Sequence, residues 1–147
     1  MIQIGQNAPH FTMTNQDGKS VNLSDYSGKY ILMWWYPKAS TPGWTIEGKG
    51  FRDRIQDYQA KNCVILGVSF DTPNDNKSFK DEFDFPYDLL TDQDREASRI
   101  FGASDTDTGK VKRMSVLISP YGKILRVYET VTPLEHPDQV LSDLAEL

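Results

Sequence analysis

The residues best placed to do chemistry lie between a hydrophobic strand and a helix, in the segment from Pro37 to Trp44. A helix that begins near Pro42 directs unpaired backbone N–H groups and the positive end of its dipole out of its first turn. The Thr41 hydroxyl could cap this helix or donate to a bound oxygen, and Gly43 lets the backbone come close to a ligand. This corner could therefore bind a small polar or anionic group, although proline and glycine before a helix are also common in ordinary loops.

The corner lacks a nucleophile. A cysteine at the head of a helix has a lowered pKa and reacts as a thiolate, but position 44 holds a tryptophan. The only cysteine, Cys63, opens the apolar segment CVILGVSF and has no neighbouring cation in sequence. Free cysteines are among the most buried residue types, so we expect Cys63 to be structural. A single cysteine also makes a Cys-x-x-Cys pair impossible.

The elements that must position this corner alternate between strands and helices. In chain order the patterns predict a hairpin, strand, helix, strand, helix, strand, helix, hairpin and helix. The apolar run that ends at Pro37 predicts a strand buried on both faces, with the rings of Trp34 and Trp35 on opposite sides. Phe51 and Tyr58, on helical spacing, indicate that the following helix continues past Ile55. This order predicts an α/β fold with a central mixed sheet flanked by helices, and an N-terminal β-hairpin.

The composition narrows the class of protein. A chain of 147 residues suits one domain, which we place at residues 1–147. The net charge of -5 and the absence of a basic run argue against a nucleic-acid partner. We also expect no membrane partner, because no apolar stretch is long enough to span a bilayer. The first residues lack a secretory signal pattern, and with one cysteine this favours a cytoplasmic location, while a secreted form with its signal removed stays open.

Metal and cofactor sites are not indicated. His10 and His136 lie far apart beside prolines, so we expect surface or capping roles and no metal. The segment SDTDTGK, which contains Asp105 and Asp107, hints at a calcium loop, but the twelfth-position glutamate would fall on Val116. We interpret it as a polar turn, and we predict no cofactor.

Five segments together carry a family resemblance: YPKASTPGWTIEGKGFRD, FTMTNQDGKSVNLSDYSGKY, VILGVSFD, LLTDQDREASRIFG and RMSVLISPYGKI. They resemble the peroxiredoxins, in particular the branch called peroxiredoxin Q or bacterioferritin comigratory protein, over nearly the whole chain. The resemblance implies a thioredoxin-like fold and the reduction of hydrogen peroxide and organic hydroperoxides. In that family a peroxidatic cysteine becomes a sulfenic acid and is recycled through a resolving thiol and thioredoxin.

The resemblance also implies roles for individual residues. Pro37 matches the proline that shields the pocket, Thr41 the threonine that holds the peroxide, and Arg113 the arginine that stabilises the thiolate. Trp44 falls where the peroxidatic cysteine should be. The two positions at which sub-branches carry the resolving cysteine correspond to Lys49 and Ser78, and neither holds sulfur.

The chain is therefore predicted to lack peroxidase activity of the thiol type, because no thiolate is available to attack the O–O bond. The alternative is a non-catalytic binding or regulatory module, in which the pocket holds a small anion or Trp44 anchors a protein partner. The expected pocket ligand is a hydroperoxide or a small anion. Thioredoxin is the reductant that the family implies, and its use here is in question; the family also implies a monomer or weak dimer.

Overall fold

The computed structural model describes residues 2–36, 42–104 and 111–147. Its centre is a seven-stranded sheet of order β2-β1-β5-β4-β3-β6-β7. The strands are β1 (Thr12–Asn15), β2 (Ser20–Asn22), β3 (Tyr30–Trp35), β4 (Cys63–Ser69), β5 (Asp88–Thr91), β6 (Ser115–Ile118) and β7 (Ile124–Tyr128). The helices are α1 (Pro42–Asp53), α2 (Ile55–Ala60), α3 (Pro73–Phe83), α4 (Glu96–Phe101) and α5 (His136–Ala145), with a 3-10 turn at Leu23–Tyr26.

The sheet is mixed, as the order of elements predicts. Strand β4 pairs in parallel with both β3 and β5, and the remaining pairs are antiparallel. The predicted N-terminal hairpin is confirmed: β1 and β2 pair from Thr14 and Ser20, and the turn between them contains Gly18 with a φ of 79°. The carboxyl ends of β3, β4 and β5 meet at one edge of the sheet, which is where such folds bind ligands.

Strand β3 lies between two apolar cores. The side chain of Trp34 belongs to the core beneath α1, α2, α3 and α5, which we call the second core, and Trp35 belongs to the core on the other face, the first core. Both rings are fully buried. The prediction that they point to opposite faces is therefore confirmed. The Trp35 indole N–H also donates to the Ser98 hydroxyl at 2.9 Å, which ties α4 to the first core.

The long helix predicted after β3 is interrupted at Arg54, so the prediction of one continuous helix is wrong. The Arg54 side chain donates to the Gly50 carbonyl at 3.0 Å, and the Arg54 backbone N–H turns to the Phe51 carbonyl at 3.2 Å. The regular bond from residue 54 to residue 50 is thereby replaced. Arg54 takes φ -110° and ψ 15°, outside the helical region, and α2 starts after it.

Helix α1 lies very close to the sheet at Gly48. A Cβ atom at this position would lie 3.2 Å from the Trp34 ring and only 2.7 Å from Phe85 Cζ, closer than real Cβ atoms come to a neighbour. The Tyr87 hydroxyl donates to the Gly48 carbonyl at 2.9 Å. Glycine at position 48 thus sets the depth at which α1, and with it Trp44, is seated on the sheet.

Helix ends follow local capping chemistry. Helix α3 begins at Pro73, where the Thr72 hydroxyl accepts a hydrogen bond from the Asp75 N–H at 3.2 Å. Helix α4 ends at Phe101, and Gly102, with a φ of 82°, forms its C-cap. The polar turn predicted around Asp105 and Asp107 lies outside the described residues.

Candidate functional site

The predicted corner lies between the end of β3 and the start of α1. Two of the four predicted site residues, Pro37 and Thr41, lie outside the described residues. The other two, Trp44 and Arg113, are described and lie against each other. The structure therefore brings together the tryptophan at the head of α1 and the arginine that precedes β6, which are far apart in sequence.

The Trp44 side chain is buried, with 8% of its surface exposed, and it belongs to the second core. It lies on the face of α1 that carries Phe51 seven residues later, which packs against Trp34 and Tyr58. An indole in this position fills the corner with apolar surface. The partner-anchor interpretation needs an exposed ring, so this burial argues against it.

The Arg113 guanidinium lies over the face of the Trp44 ring, with Cζ 4.1 Å from the ring centre. This is the geometry of a cation–π contact. The same guanidinium lies close to Gly43, where a Cβ atom would come within 3.0 Å of Arg113 Nη2. The group beside Gly43 in the structure is thus the guanidinium of this chain's own arginine, and the close approach of a ligand to Gly43 stays a prediction.

A third residue of the site, Glu47, was missed by sequence reasoning. Its side chain is fully buried, and both carboxyl oxygens lack a hydrogen-bond partner among the described residues. Burial raises the pKa of the Glu47 carboxyl to about 8, while the nearby positive charge of Arg113 acts in the opposite direction. Its burial could have been predicted from the helical spacing, since positions 44, 47 and 51 share one face of α1.

A buried polar network supports the site where β3, β4 and β5 end. The Tyr36 hydroxyl donates to the Asn76 side-chain oxygen at 2.6 Å, and the Asn76 amide donates to the Thr91 hydroxyl at 3.1 Å. The Thr91 hydroxyl donates to the Asp71 carbonyl at 2.7 Å. These bonds join the three strand ends and α3, and they fix this edge of the sheet in one arrangement.

Cys63 lies at the opposite end of the sheet from the head of α1. In the parallel register it pairs with Tyr30, the first residue of β3, whereas Trp35 at the other end of β3 pairs with Val68. Five residues of strand separate these levels, roughly 17 Å. The thiol is buried, and burial raises its pKa to about 12. The predicted burial of Cys63 is confirmed, and its position does not suit a relocated nucleophile.

The positions of the resolving thiol are occupied by side chains with other contacts. The Lys49 ammonium lies 5.1 Å from the centre of the Phe83 ring, and Ser78 is exposed on α3. In the described part of the chain, Cys63 is the one thiol, and no three His, Cys, Asp or Glu side chains lie together as a metal site would need.

The expected surface or capping role of His136 is wrong. Its imidazole is fully buried, with Nε2 2.8 Å from the Ser115 hydroxyl and Nδ1 2.9 Å from the Gln139 side-chain oxygen. Because a glutamine oxygen can only accept, Nδ1 carries the proton and Nε2 accepts from Ser115. Burial lowers the pKa of His136. His10 is exposed, as predicted.

A family model described as the AhpC/TSA family matches residues 4–127. Peroxiredoxin Bcp of Escherichia coli K12 is 34% identical over 151 residues, which cover 99% of this chain and 97% of that protein. Peroxiredoxin bcp1 of Schizosaccharomyces pombe is 37% identical over 147 residues, covering 99% of this chain and 75% of that protein.

Solved structures agree with this assignment. Peroxidoxin BcpB of Mycobacterium tuberculosis matches with a TM-score of 0.94 and 26% identity, covering 100% of this chain and 99% of that one. The bacterioferritin comigratory protein of Xanthomonas campestris, studied for alkyl peroxide reduction, matches with a TM-score of 0.87 and 27% identity over 92% and 90% of the chains. The fold is thus thioredoxin-like, of the peroxiredoxin type. The chain belongs to the AhpC/TSA family and, within it, to the Bcp, or peroxiredoxin Q, branch of the peroxiredoxins.

Among the described residues, no helix combines the length and apolar character needed to cross a bilayer.

Proposed function

We propose that this peroxiredoxin-family protein does not reduce hydroperoxides through a thiol cycle, and that its peroxide corner is filled by Trp44. The single observation that carries the proposal is the buried indole at the head of α1, with Arg113 stacked on it. The family resemblance puts the peroxidatic sulfur at this position. Pro37, Thr41 and Arg113 keep their proposed family roles as the lining of the corner.

The chemistry explains why the substitution matters. In the thiol mechanism a thiolate attacks one oxygen of the O–O bond, the bond breaks, and an alcohol or water leaves with a proton. The sulfur, now bonded to that oxygen, is oxidised to a sulfenic acid. An indole offers no comparable nucleophile. Arg113 can stabilise developing negative charge but supplies no electrons to the peroxide.

The distance of Cys63 from the corner supports the same conclusion. A relocated cycle needs a thiolate that meets the peroxide near the charged group that stabilises it. Cys63 lies at the other end of β4, and burial holds its pKa far above the ordinary value for cysteine. Recycling by thioredoxin has no sulfenic acid to act on, so we propose that thioredoxin is not a functional reductant here.

The second candidate is a non-catalytic binding or regulatory module, located in the cytoplasm. The observation that favours it is the half-buried positive charge of Arg113 beside the first turn of α1, which suits a small anion. Because Trp44 is buried, a module that binds a small anion is favoured over one in which the indole anchors a protein partner.

The test compares three proteins: the parent, Trp44→Cys and Trp44→Ser. Cysteine and serine leave the same space in the corner, so the serine variant controls for the lost indole. Consumption of hydrogen peroxide and of an organic hydroperoxide is measured with a thiol reductant and with thioredoxin. We expect the parent and the serine variant to stay at the background rate and the cysteine variant to turn over.

Two results would contradict the proposal. One is peroxide consumption by the parent at a rate close to that of Trp44→Cys. The other is parent activity that disappears in Cys63→Ser, which would make Cys63 the nucleophile. A folded but inert Trp44→Cys variant would favour the binding module, since it would show that the rest of the corner no longer supports thiol chemistry.

A further inference from the structure

The central sheet is incomplete beside the first residues of β4. Strand β3 pairs with β4 along its whole length, from Cys63 to Val68. Strand β5 pairs with β4 only from Asp88, which lies opposite Leu66. In the described structure, residues 63–65 therefore have a neighbouring strand on one side only. We call the space on their other side the strand gap.

Two hydrogen bonds near the carboxyl end of β4 show which way its backbone groups point. The Val68 carbonyl accepts from the Tyr36 N–H at 3.0 Å, on the side of β3. The next carbonyl, that of Ser69, accepts from the Asp92 N–H at 2.9 Å, on the side of β5. Backbone groups of successive residues in a parallel strand point to opposite neighbours, so odd-numbered residues of β4 face β5. The Cys63 carbonyl and the Ile65 N–H consequently point into the strand gap.

Pro86 explains why β5 does not fill the gap. The Asp92 N–H donates to the Ser69 carbonyl. If the same register continued six residues towards the start of both strands, residue 86 would have to donate to the Cys63 carbonyl, and residue 86 is a proline. Proline has no N–H to donate, and it interrupts a ladder of strand hydrogen bonds. The ladder ends at Asp88 accordingly, and the Cys63 carbonyl and Ile65 N–H have no strand partner among the described residues.

The strand gap opens into a cavity of about 400 Å³ with a wall on each face of the sheet. One wall is formed by Tyr26, which packs on the first core, and by the exposed Lys29. The other wall is formed by Ile55, which packs on the second core, and by the exposed Gln59, both from α2. The unpaired residues of β4, from Cys63 to Ile65, also line the cavity.

We propose that the strand gap binds an extended segment of a partner polypeptide, whose main chain completes the sheet beside Cys63 and Ile65. One residue in extended conformation presents its N–H and its C=O on the same edge. These two groups match the Cys63 carbonyl and the Ile65 N–H, which a single ligand residue can therefore bind together. This is the recognition mode of β-strand addition.

The walls define what the segment carries. Alternate side chains of a strand point to opposite faces, so one set meets Ile55 and Cys63 and takes apolar side chains. The other set meets Tyr26 and Lys29 and takes polar ones. Three unpaired residues of β4 correspond to about 10 Å of strand, which is the length of a tripeptide.

The test is an NMR titration of ¹⁵N-labelled protein with the blocked tripeptide acetyl-Ala-Val-Ala-amide. The control is the same peptide methylated on each residue nitrogen, which keeps the carbonyls and removes the N–H donors of the three residues. We expect saturable shifts of the Ile65 amide and its neighbours with the first peptide. The methylated peptide should bind at least about tenfold more weakly.

Three variants sharpen the test. Gln59→Trp places a large ring in the cavity wall and should abolish the shifts, whereas Gln56→Trp, on an exposed part of α2 outside the cavity, should bind like the parent. Pro86→Ala supplies the missing N–H. We expect it to extend β5, to slow hydrogen exchange at the Ile65 amide and to weaken peptide binding.

The proposal is overturned if the tripeptide causes no saturable shift at Ile65 at its highest soluble concentration. It is also overturned if the methylated peptide binds as tightly as the first. Equal binding of N-acetylvaline amide alone would show a small-molecule site and overturn the peptide proposal as well.

Discussion

The guanidinium of Arg113 stacks on the ring of Trp44, with Cζ 4.1 Å from its centre. The positive charge of Arg113 therefore contacts an aromatic ring at the position where the family resemblance puts a thiolate. The aromatic ring thus gives the Arg113 side chain a stabilising contact although position 44 carries no negative charge. We therefore expect Trp44 and Arg113 to stabilise each other, with a coupling free energy that can be measured.

A double-mutant cycle with Arg113→Met and Trp44→Leu tests this unit. We expect a coupling free energy of about 1 kcal/mol, the usual size of a partly desolvated cation–π pair. Urea unfolding of the four proteins provides the measurement. Arg113→Lys, which keeps the charge and loses the planar stack, should recover part of the coupling. Additive effects of the two substitutions would show that the pair is in contact without mutual stabilisation.

The emission of Trp44 reports its burial directly. Because all three tryptophans are buried, we expect the parent to emit at short wavelength and to resist quenching by iodide. Trp44→Phe keeps an aromatic ring in the corner and removes one emitter. The difference spectrum between parent and variant should also lie at short wavelength. A red-shifted and strongly quenched difference spectrum would instead place the ring in solvent.

Glu47 should make the protein less stable as the pH rises. Its folded-state pKa of about 8 lies above the ordinary 4.5, so the unfolded chain releases a proton that the folded protein keeps. The free energy of unfolding therefore falls between about pH 4.5 and pH 8, by an amount on the order of a few kcal/mol. Glu47→Gln should flatten this part of the stability profile, measured by urea unfolding at several pH values.

The exposed Glu82 of α3, changed to glutamine, controls for the loss of one carboxylate. If Glu47→Gln and the parent lose stability in parallel over this range, the buried carboxyl does not titrate as its environment implies.

His136 should make the protein less stable as the pH falls. Burial lowers its pKa below the ordinary 6.5, so below about pH 6.5 the unfolded chain binds a proton that the folded protein resists. Its contribution is complete above this pH and is lost as the pH falls. We expect His136→Gln to lower the overall stability and to reduce the loss of Tm on acidification. The exposed His10→Gln is the matched control, and equal acid slopes for parent and His136→Gln would refute the assignment.

Much of the fold follows from periodicity alone. The alternating segments around Asp17-Gly18 and the continuous apolar run of β3 each admit few arrangements, so the hairpin, the buried strand and the opposed rings of Trp34 and Trp35 were predictable. The break at Arg54 was not, because it depends on a side chain that competes for the Gly50 carbonyl. The spacing of apolar residues does not show that a side chain will compete with the backbone for a carbonyl.

The site divides in the same way. The head of a helix after a buried strand is visible in sequence, and so is the absence of sulfur there. The meeting of Arg113 with Trp44 came only from the family resemblance, because their contact depends on how β6 pairs with β3. The burial of His136 escaped prediction for a related reason: its partner Ser115 lies on a distant strand.

Trp44 also affects what can happen next at this position. Its ring is part of the packing of the second core, so any shorter side chain there opens a void beneath Arg113. A change that brought reactivity back would therefore weaken the folded state at the same time. Reactivity and stability are therefore opposed at this one site, and stabilising substitutions elsewhere in the molecule would offset the loss of stability.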